Sequence, residues 1–275
     1  MLPDRKMPRT GATVEVSEQT YPGHSRAHPV RLFRPAKARQ SLPVIVFLHA
    51  GDFVSGVIED AETAARILAA RLNAIVATPG YTLAGERPFP EAAEDAYAAI
   101  GWAYTNAPLH GADVHRIVIA GEEAGGNLAA VAALMAKDRG GPQLAAQVLI
   151  SPMLDPTLAT RSMLDASPGS SRSIAGCLAA YKRYLPAATD RLHPYAAPAH
   201  CSRLAGVAPA LIVSAEGDPL RDEAEGYGAA LIATGVTTQV TRIARAAREM
   251  HRWSEAVSNA IVDFLGPRLK HAGRS

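Results

Sequence analysis

The sequence predicts an α/β fold with a mostly parallel sheet covered on both faces, and three observations carry that expectation. Apolar runs without alternation recur, as at residues 42–48 (LPVIVFL) and 146–150 (AQVLI), which suits strands buried on both sides. Segments with helical spacing fall between such runs, so strand and helix alternate along most of the chain. One apolar run, residues 117–120, ends in a glycine, turns sharply through GEEAG, and opens an alanine-rich helix.

Taken in order, residues 13–35 read as two short strands with a turn near Pro22 and Gly23, and the alternation around Val30, Leu32 and Phe33 gives the second strand one wet face. Residues 42–48 form the first fully buried strand. A helix over 61–72 follows, with Ala64, Ala65, Leu68 and Ala69 on one face, and then a strand over 73–78. Pro90 opens a helix that runs to about Asn106, since proline is tolerated where the first N–H has no partner. The strand at 117–120 and the helix at 125–138 flank the sharp turn, and 146–150 is the next strand. The rhythm then breaks. Residues 155–207 hold helical pieces, loops and prolines but no strong strand, which points to a lid rather than a linker. Alternation resumes with a strand at 210–214, a helix at 222–234, a strand at 238–243 and a closing helix at 253–270.

Length and composition bound the function. A chain of 275 residues suits a single domain, 1–275, with a short N-terminal segment over 1–12. Formal net charge is +2 with both signs scattered, so no basic stripe marks a nucleic-acid partner. No apolar run approaches the ~20 residues that span a bilayer, and the N-terminus lacks the apolar core of a signal peptide. A cytoplasmic location is expected, with Cys177 and Cys201 as free thiols. No cofactor is expected.

The chemistry-bearing blocks come in a definite order. They are His49-Ala50-Gly51-Asp52-Phe53; then Tyr81-Thr82-Leu83-Ala84-Gly85-Glu86 with Glu94-Asp95-Ala96; then Gly121-Glu122-Glu123-Ala124-Gly125-Gly126; then Asp218-Pro219-Leu220-Arg221; and last Met250-His251-Arg252-Trp253. Together they resemble the α/β-hydrolase superfamily, in its hormone-sensitive-lipase-like esterase group. The corresponding family blocks read H-G-G-G-F, Y-R-L-A-P-E, G-D-S-A-G-G, D-P-L-R-D and H-G-F. The resemblance implies an α/β-hydrolase fold with a mostly parallel eight-stranded sheet, helices on both faces and a helical lid. It implies descent from enzymes that hydrolyse small carboxylic esters, and a homodimer as a family expectation. In such enzymes an elbow serine attacks the ester, a histidine takes its proton, an acid orients the histidine, and backbone N–H groups hold the oxyanion. The matching positions are Glu123 for the nucleophile, Asp218 for the acid and His251 for the base. Gly51, Asp52 and Ala124 match the oxyanion donors, with His49 beside them.

Three departures from the pattern matter. Glu123 stands where the serine belongs, and a carboxyl group with a reference pKa near ~4.3 has no proton to give at neutral pH. No other G-x-S-x-G occurs; Ser151 and Ser170 are not on elbows. Asp52 brings a carboxylate beside the oxyanion donors, which opposes a developing negative charge. The segment before the first strand is shorter than the family's N-terminal cap, so the site is expected to be more open. The stretch leading into His251 is also longer than the family pattern, which leaves a second reading for His251 as a surface residue near a helix start.

Several readings of Glu123 stand side by side. Glu122 and Glu123 can be helix first-turn acids, favoured by the free N–H groups and the dipole, on a fold that has lost its chemistry and either retains a pocket for a small apolar ligand or serves as an interaction scaffold. In a sharper form, the Glu123 carboxylate folds back on the N–H groups of Gly51 and Ala124, or pairs with His251. Glu123 can instead attack a carbon–halogen or epoxide bond, leaving an alkyl ester for water activated by His251 and Asp218. A metal or amine site from Glu123, Asp52, His49 and His251 is a further reading, with no spacing that fits a specific metal. His49 reads as fixing the turn after its strand, Trp102 and Tyr97 as packing, and Glu86 and Asp95 as a buried pair or cap. Tyr181, Tyr184 and Tyr195 read either as pocket-lining or as solvent-facing.

Overall fold

The N-terminal hairpin consists of β1 (Val14–Pro22) and β2 (Ala27–Pro35), paired antiparallel along their whole length. The structure, a computed structural model, describes residues 13–38, 41–166, 173–244 and 253–270. The fully apolar β3 (Leu42–Leu48) and β4 (Ile75–Pro79) follow, joined through α1 (Glu62–Leu72). Next come α2 (Glu91–Asn106), β5 (Ala112–Glu122), α3 (Ala124–Asp138) and β6 (Ala146–Ile150). Beyond the inserted segment lie β7 (Ala210–Ala215), α6 (Arg221–Ala233), β8 (Thr238–Ile243) and α7 (Glu255–Leu269). The insert carries α4 (Arg161–Leu164) and α5 (Ile174–Tyr184), and no strand among its described residues.

The eight strands form one sheet in the order β1-β2-β4-β3-β5-β6-β7-β8. The pairs from β4 to β8 are all parallel; the hairpin joins antiparallel through β2 against β4. This is the doubly covered α/β sheet that the buried runs require. Alternate residues of β3 divide between the two layers. Val44, Val46 and Leu48 pack with α2 and α3 through Ala96, Ile100 and Leu128. Ile45 and Phe47 pack with α1 and α7 through Leu68, Ile261 and Phe264. A strand wet on one face could not supply both layers, which is why these runs lack alternation.

One element is longer than its sequence suggests. β5 starts at Ala112, although Asp113, His115 and Arg116 break the apolar run. Arg116 explains how polar residues enter the sheet. Its Nε donates to Asp113 at 2.9 Å, Nη1 donates to the Leu269 carbonyl at 2.7 Å, and Nη2 reaches the Ser41 carbonyl. The buried guanidinium thus ties the end of α7 to the start of β3. Cys177 and Cys201 are both buried, and neither forms a disulfide among the described residues. No helix among the described residues is long and apolar enough to cross a membrane.

Candidate active site

In a parallel sheet the strands all end at one edge, and ligands bind outside their carboxyl ends. Three of the blocks singled out above meet that edge: the loop after β3, the turn after β5 and the turn after β7. β5 ends at Glu122 and α3 begins at Ala124, so Glu123 alone makes the turn, with φ 55° and ψ −115°. That backbone is strained for any residue with a Cβ, and such strain gathers at functional positions. The turn is stitched on both sides. The Glu123 N–H donates to the Ile150 carbonyl at 3.0 Å, and its own carbonyl accepts from Asn127 N–H and Met153 N–H, each at 3.0 Å.

Glycines make the turn sterically accessible. A Cβ on Gly121 would collide with the Gly125 carbonyl oxygen, and one on Gly125 would collide with the carbonyl oxygens of Leu48 and His49. Because backbone atoms, not flexible side chains, stand in the way, we expect Gly121→Ala to cost about 3 kcal/mol. Urea unfolding reads this directly; an unchanged midpoint would mean that the turn relaxes freely.

Glu123 is buried, at 6% relative exposure. Its side chain makes no N-cap hydrogen bond to α3, and the first turn of that helix carries no acid. The reading of Glu122 and Glu123 as first-turn acids is therefore corrected: Glu122 closes the strand, and Glu123 is the turn itself. The carboxylate is directed across the edge to the loop after β3, where Gly51 N–H reaches Glu123 Oε2 at a long 3.4 Å. Ala124, fully buried, opens α3 one residue further on.

The loop after β3 is held in an unusual shape. Gly51, Asp52 and Phe53 have φ of 132°, 52° and 65° in succession. Aspartate tolerates the left-handed region through local hydrogen bonding, whereas phenylalanine there is rare. The loop closes on itself through Val54 N–H and Ser55 N–H, both donating to the Gly51 carbonyl at 3.0 Å. Asp52 is half-buried, and its Oδ1 is buried with no hydrogen-bond partner among the described residues.

Asp218 lies just past β7 and is buried. Its Oδ1 accepts Leu220 N–H at 3.0 Å, and its carbonyl accepts Arg221 N–H at 3.0 Å, so the acid is locked by the turn that starts α6. His251 and Ser170 lie outside the described residues. Ser151 follows β6, next to the Glu123 turn across the β5–β6 pair, buried and with φ 42°. Among the described residues no cluster of three or more metal-ligating side chains occurs.

This arrangement matches known proteins. The profile of the α/β-hydrolase fold family covers residues 45–252. The chain belongs to the α/β-hydrolase superfamily, in its hormone-sensitive-lipase-like group. It is 37% identical over 216 residues to the carboxylesterase NlhH of Mycobacterium tuberculosis, covering 78% of this chain and 68% of that protein. It is 38% identical over 202 residues to the esterase LipI of the same organism, covering 72% of this chain and 62% of that protein. Among solved structures, a thermostable esterase from Pseudomonas putida superposes with a TM-score of 0.87 at 30% identity, over 96% of this chain and 86% of that one. A hyperthermophilic esterase from Pyrobaculum calidifontis gives 0.86 at 34% identity, over 95% and 87%.

The rest of this hydrolase site is supporting structure, much of it long-range. His49 is buried, and its Nδ1 lies 2.6 Å from the Ala50 carbonyl. Burial pushes its pKa down, with the Ala50 contact opposing. Tyr81 stacks on the His49 ring at 4.3 Å and donates from its hydroxyl to the His49 carbonyl at 3.0 Å. His49 thus fixes the turn after β3, as its place in the sequence suggests. Tyr81 in turn is held through Thr82, whose N–H donates to Asp95 Oδ2 at 2.9 Å. Asp95 is the buried partner of His28, at 3.0 Å. Glu86 differs from expectation: it pairs with Arg26 at 2.8 Å on the surface.

Aromatic residues of the insert cover the loop. Tyr184 lies flat on Phe53 at 4.0 Å, Tyr181 is tilted on it at 5.8 Å, and Phe89 meets Tyr184 edge-on at 5.9 Å. Tyr181 and Tyr184 are fully buried, which removes the solvent-facing reading for both. Tyr195 instead donates to Asp138 at 3.0 Å, at the far end of α3. Asn127 went unremarked in the sequence, yet its Nδ2 ties α3 to the carbonyls of Met153 and Ala196 at 2.6 and 3.1 Å. Its only sequence signal is a buried polar residue among alanines.

Proposed function

We propose that this hydrolase-family chain binds a small ligand in the esterase site but does not carry out ordinary acyl-enzyme turnover. The observation that carries the proposal is the Glu123 carboxylate at the strained β5–α3 turn, the position that resembles a nucleophile elbow, directed to the Gly51 N–H. Acyl transfer at such an elbow needs a nucleophile whose proton a histidine can remove, and an oxyanion hole open to the developing charge. A carboxylate supplies neither. It attacks an ester only to form an anhydride, and here it faces one of the donors that would hold the oxyanion. Asp52 adds a second negative charge beside that donor. Asp218 keeps the position of the orienting acid, and His251 is assigned as its partner on the sequence resemblance.

The relatives named carboxylesterase and esterase support small esters as the ancestral substrate class. The retained turn, loop and aromatic cover support a binding cleft of similar shape. The test uses purified protein with p-nitrophenyl acetate, a fluorophosphonate probe and 1-bromobutane. No ester turnover above buffer and no probe adduct are expected. Ester hydrolysis that survives Glu123→Ala would overturn the proposal. Bromide release that Glu123→Ala abolishes would replace it with the alternative in which Glu123 is a carboxylate nucleophile.

A further inference from the structure

We propose that Asp155 and His200 form a pH-sensitive clasp at the root of the insert, firm while the imidazole carries a proton and looser once that proton is lost. The insert leaves the sheet after β6, and its closing stretch passes the same exit before it descends to β7. Several bonds join the two arms of this root. His200 Nε2 lies 2.9 Å from Asp155 Oδ1, and Ala199 N–H donates to the Leu154 carbonyl at 3.4 Å. Asn127 Nδ2, from the first turn of α3, donates to the carbonyls of both Met153 and Ala196. Met153 N–H also donates to the Glu123 carbonyl at 3.0 Å. Both arms are thereby fixed to the Glu123 turn, and the clasp stands two residues beyond Met153 and four beyond Ala196. Of these bonds, only the one between His200 and Asp155 joins two ionisable groups. What the root carries is the aromatic cover, since α5 lays Tyr181 and Tyr184 against Phe53. The clasp is independent of the chemistry at Glu123 and so goes beyond the proposed function.

The two partners differ in burial: the Asp155 side chain is 13% exposed and that of His200 36%. Burial alone would raise the Asp155 pKa; the bonds from Thr157 and His200 outweigh it and hold the carboxyl below its usual range. Asp155 is therefore an anion from about pH 5.5 to about pH 8. An imidazole ordinarily titrates near ~6.5, inside that window. Below it the contact is imidazolium against carboxylate. Above it a neutral N–H donor remains, but the charge assistance is gone. The stabilisation is thus complete in acid and falls as pH rises through the imidazole titration. Other ionisable groups surround the clasp. Tyr181 and Cys177 face it from α5, and Glu223 from α6, with its Oε1 accepting Leu154 N–H at 2.9 Å. Tyr227 of α6 lies near Cys201, the neighbour of His200. Further along the return arm, Arg203 and Lys137 both pair with Asp138. None of these residue types has an ordinary pKa between about 5.5 and 8, and burial drives the Tyr181 and Tyr227 phenols further up.

The experiment is amide hydrogen exchange of the full chain, read by mass spectrometry between about pH 5.5 and about pH 8, with each rate divided by the intrinsic rate at its pH. Peptides over 153–158 and 196–203 report the root, and those over 42–48, in β3, report global stability. In the wild type, opening of the root is expected to rise about fivefold across this window while β3 stays unchanged. His200→Gln keeps a neutral donor that does not titrate, and Asp155→Asn keeps the shape of the acceptor without its charge. Root exchange in both variants is expected to lose its pH dependence. Wild-type protection of the root that is flat across the window would overturn the clasp. So would His200→Gln following the same pH dependence as the wild type. Loss of β3 protection in a variant would mark global unfolding of that variant. The wild-type series then decides alone: a rise confined to the root supports the clasp, and a rise shared by β3 overturns it.

Discussion

Glu123→Ser is expected to hydrolyse p-nitrophenyl acetate at least ~100-fold faster than Glu123→Ala, while the wild type stays at the level of the alanine variant. The gain follows from what the turn already holds. Residue 123 sits at φ 55° between β5 and α3, and Gly121 and Gly125 clear the space that this conformation needs. Serine is smaller than glutamate, so it enters without new clashes. Its arrival also frees the Gly51 N–H, now 3.4 Å from Glu123 Oε2, to face a tetrahedral oxyanion. Asp218, assigned as the orienting acid on the sequence resemblance, is already locked by Leu220 N–H at 3.0 Å. One handicap survives the substitution. Asp52 stays beside the oxyanion donors, and its like charge, partly screened at this half-buried position, opposes the transition state by about 1–2 kcal/mol. The double variant Glu123→Ser/Asp52→Gly should therefore gain about a further tenfold, since glycine accepts the φ of 52° that this position imposes. A Glu123→Ser variant no faster than Glu123→Ala would sink the idea that this side chain is what silences the site.

The sheet was legible because its signal is local. Buried strands such as Leu42–Leu48 must be apolar on both faces, and that pattern shows in any window of seven residues. The start of β5 was not, because Arg116 replaces apolar burial with bonds to Leu269 and Ser41, and residues 153 and 75 positions away leave no trace in a local window. The site divides the same way. The sharp turn at Glu123 was readable from its glycines. That Glu122 stays in the strand and Glu123 alone makes the turn was not, because strand and helix meet across a single residue. The HAGDF block located the loop, but three successive positive φ values at Gly51, Asp52 and Phe53 are a tertiary outcome. The aromatic cover was the least legible part. Tyr184 and Phe53 are far apart in sequence, and only the packed insert decides that these rings stack rather than face water.

Asp95→Asn is expected to destabilise the protein by about 3 kcal/mol at neutral pH, with the loss concentrated at the site-supporting loop. The carboxylate is fully buried and meets three donors. Oδ1 accepts His24 N–H at 2.7 Å, while Oδ2 accepts Thr82 N–H at 2.9 Å and lies 3.0 Å from His28 Nε2. Asparagine is close in shape but has a single acceptor oxygen. Its amide NH₂ must then confront either the His24 N–H or the Thr82 N–H, leaving donors face to face in a buried place. Burial alone would raise the Asp95 pKa; the bonds from His28, Thr82 and His24 outweigh it and hold the value at about 2. A folded-state pKa below the unfolded value means that the unfolded chain binds the proton first, so stability rises with pH across this window. The contribution is complete above about pH 4, falls as pH drops towards 2, and amounts to about 2 kcal/mol. Urea unfolding of the wild type and Asp95→Asn should therefore diverge at pH 7 and draw together as the pH approaches 2. Thr82 adjoins Tyr81, which stacks on His49, so the same substitution should weaken ligand binding at the loop after β3 before global unfolding begins. Parallel unfolding curves for the two proteins at both ends of the pH range would show that Asp95 does not hold this end of the sheet.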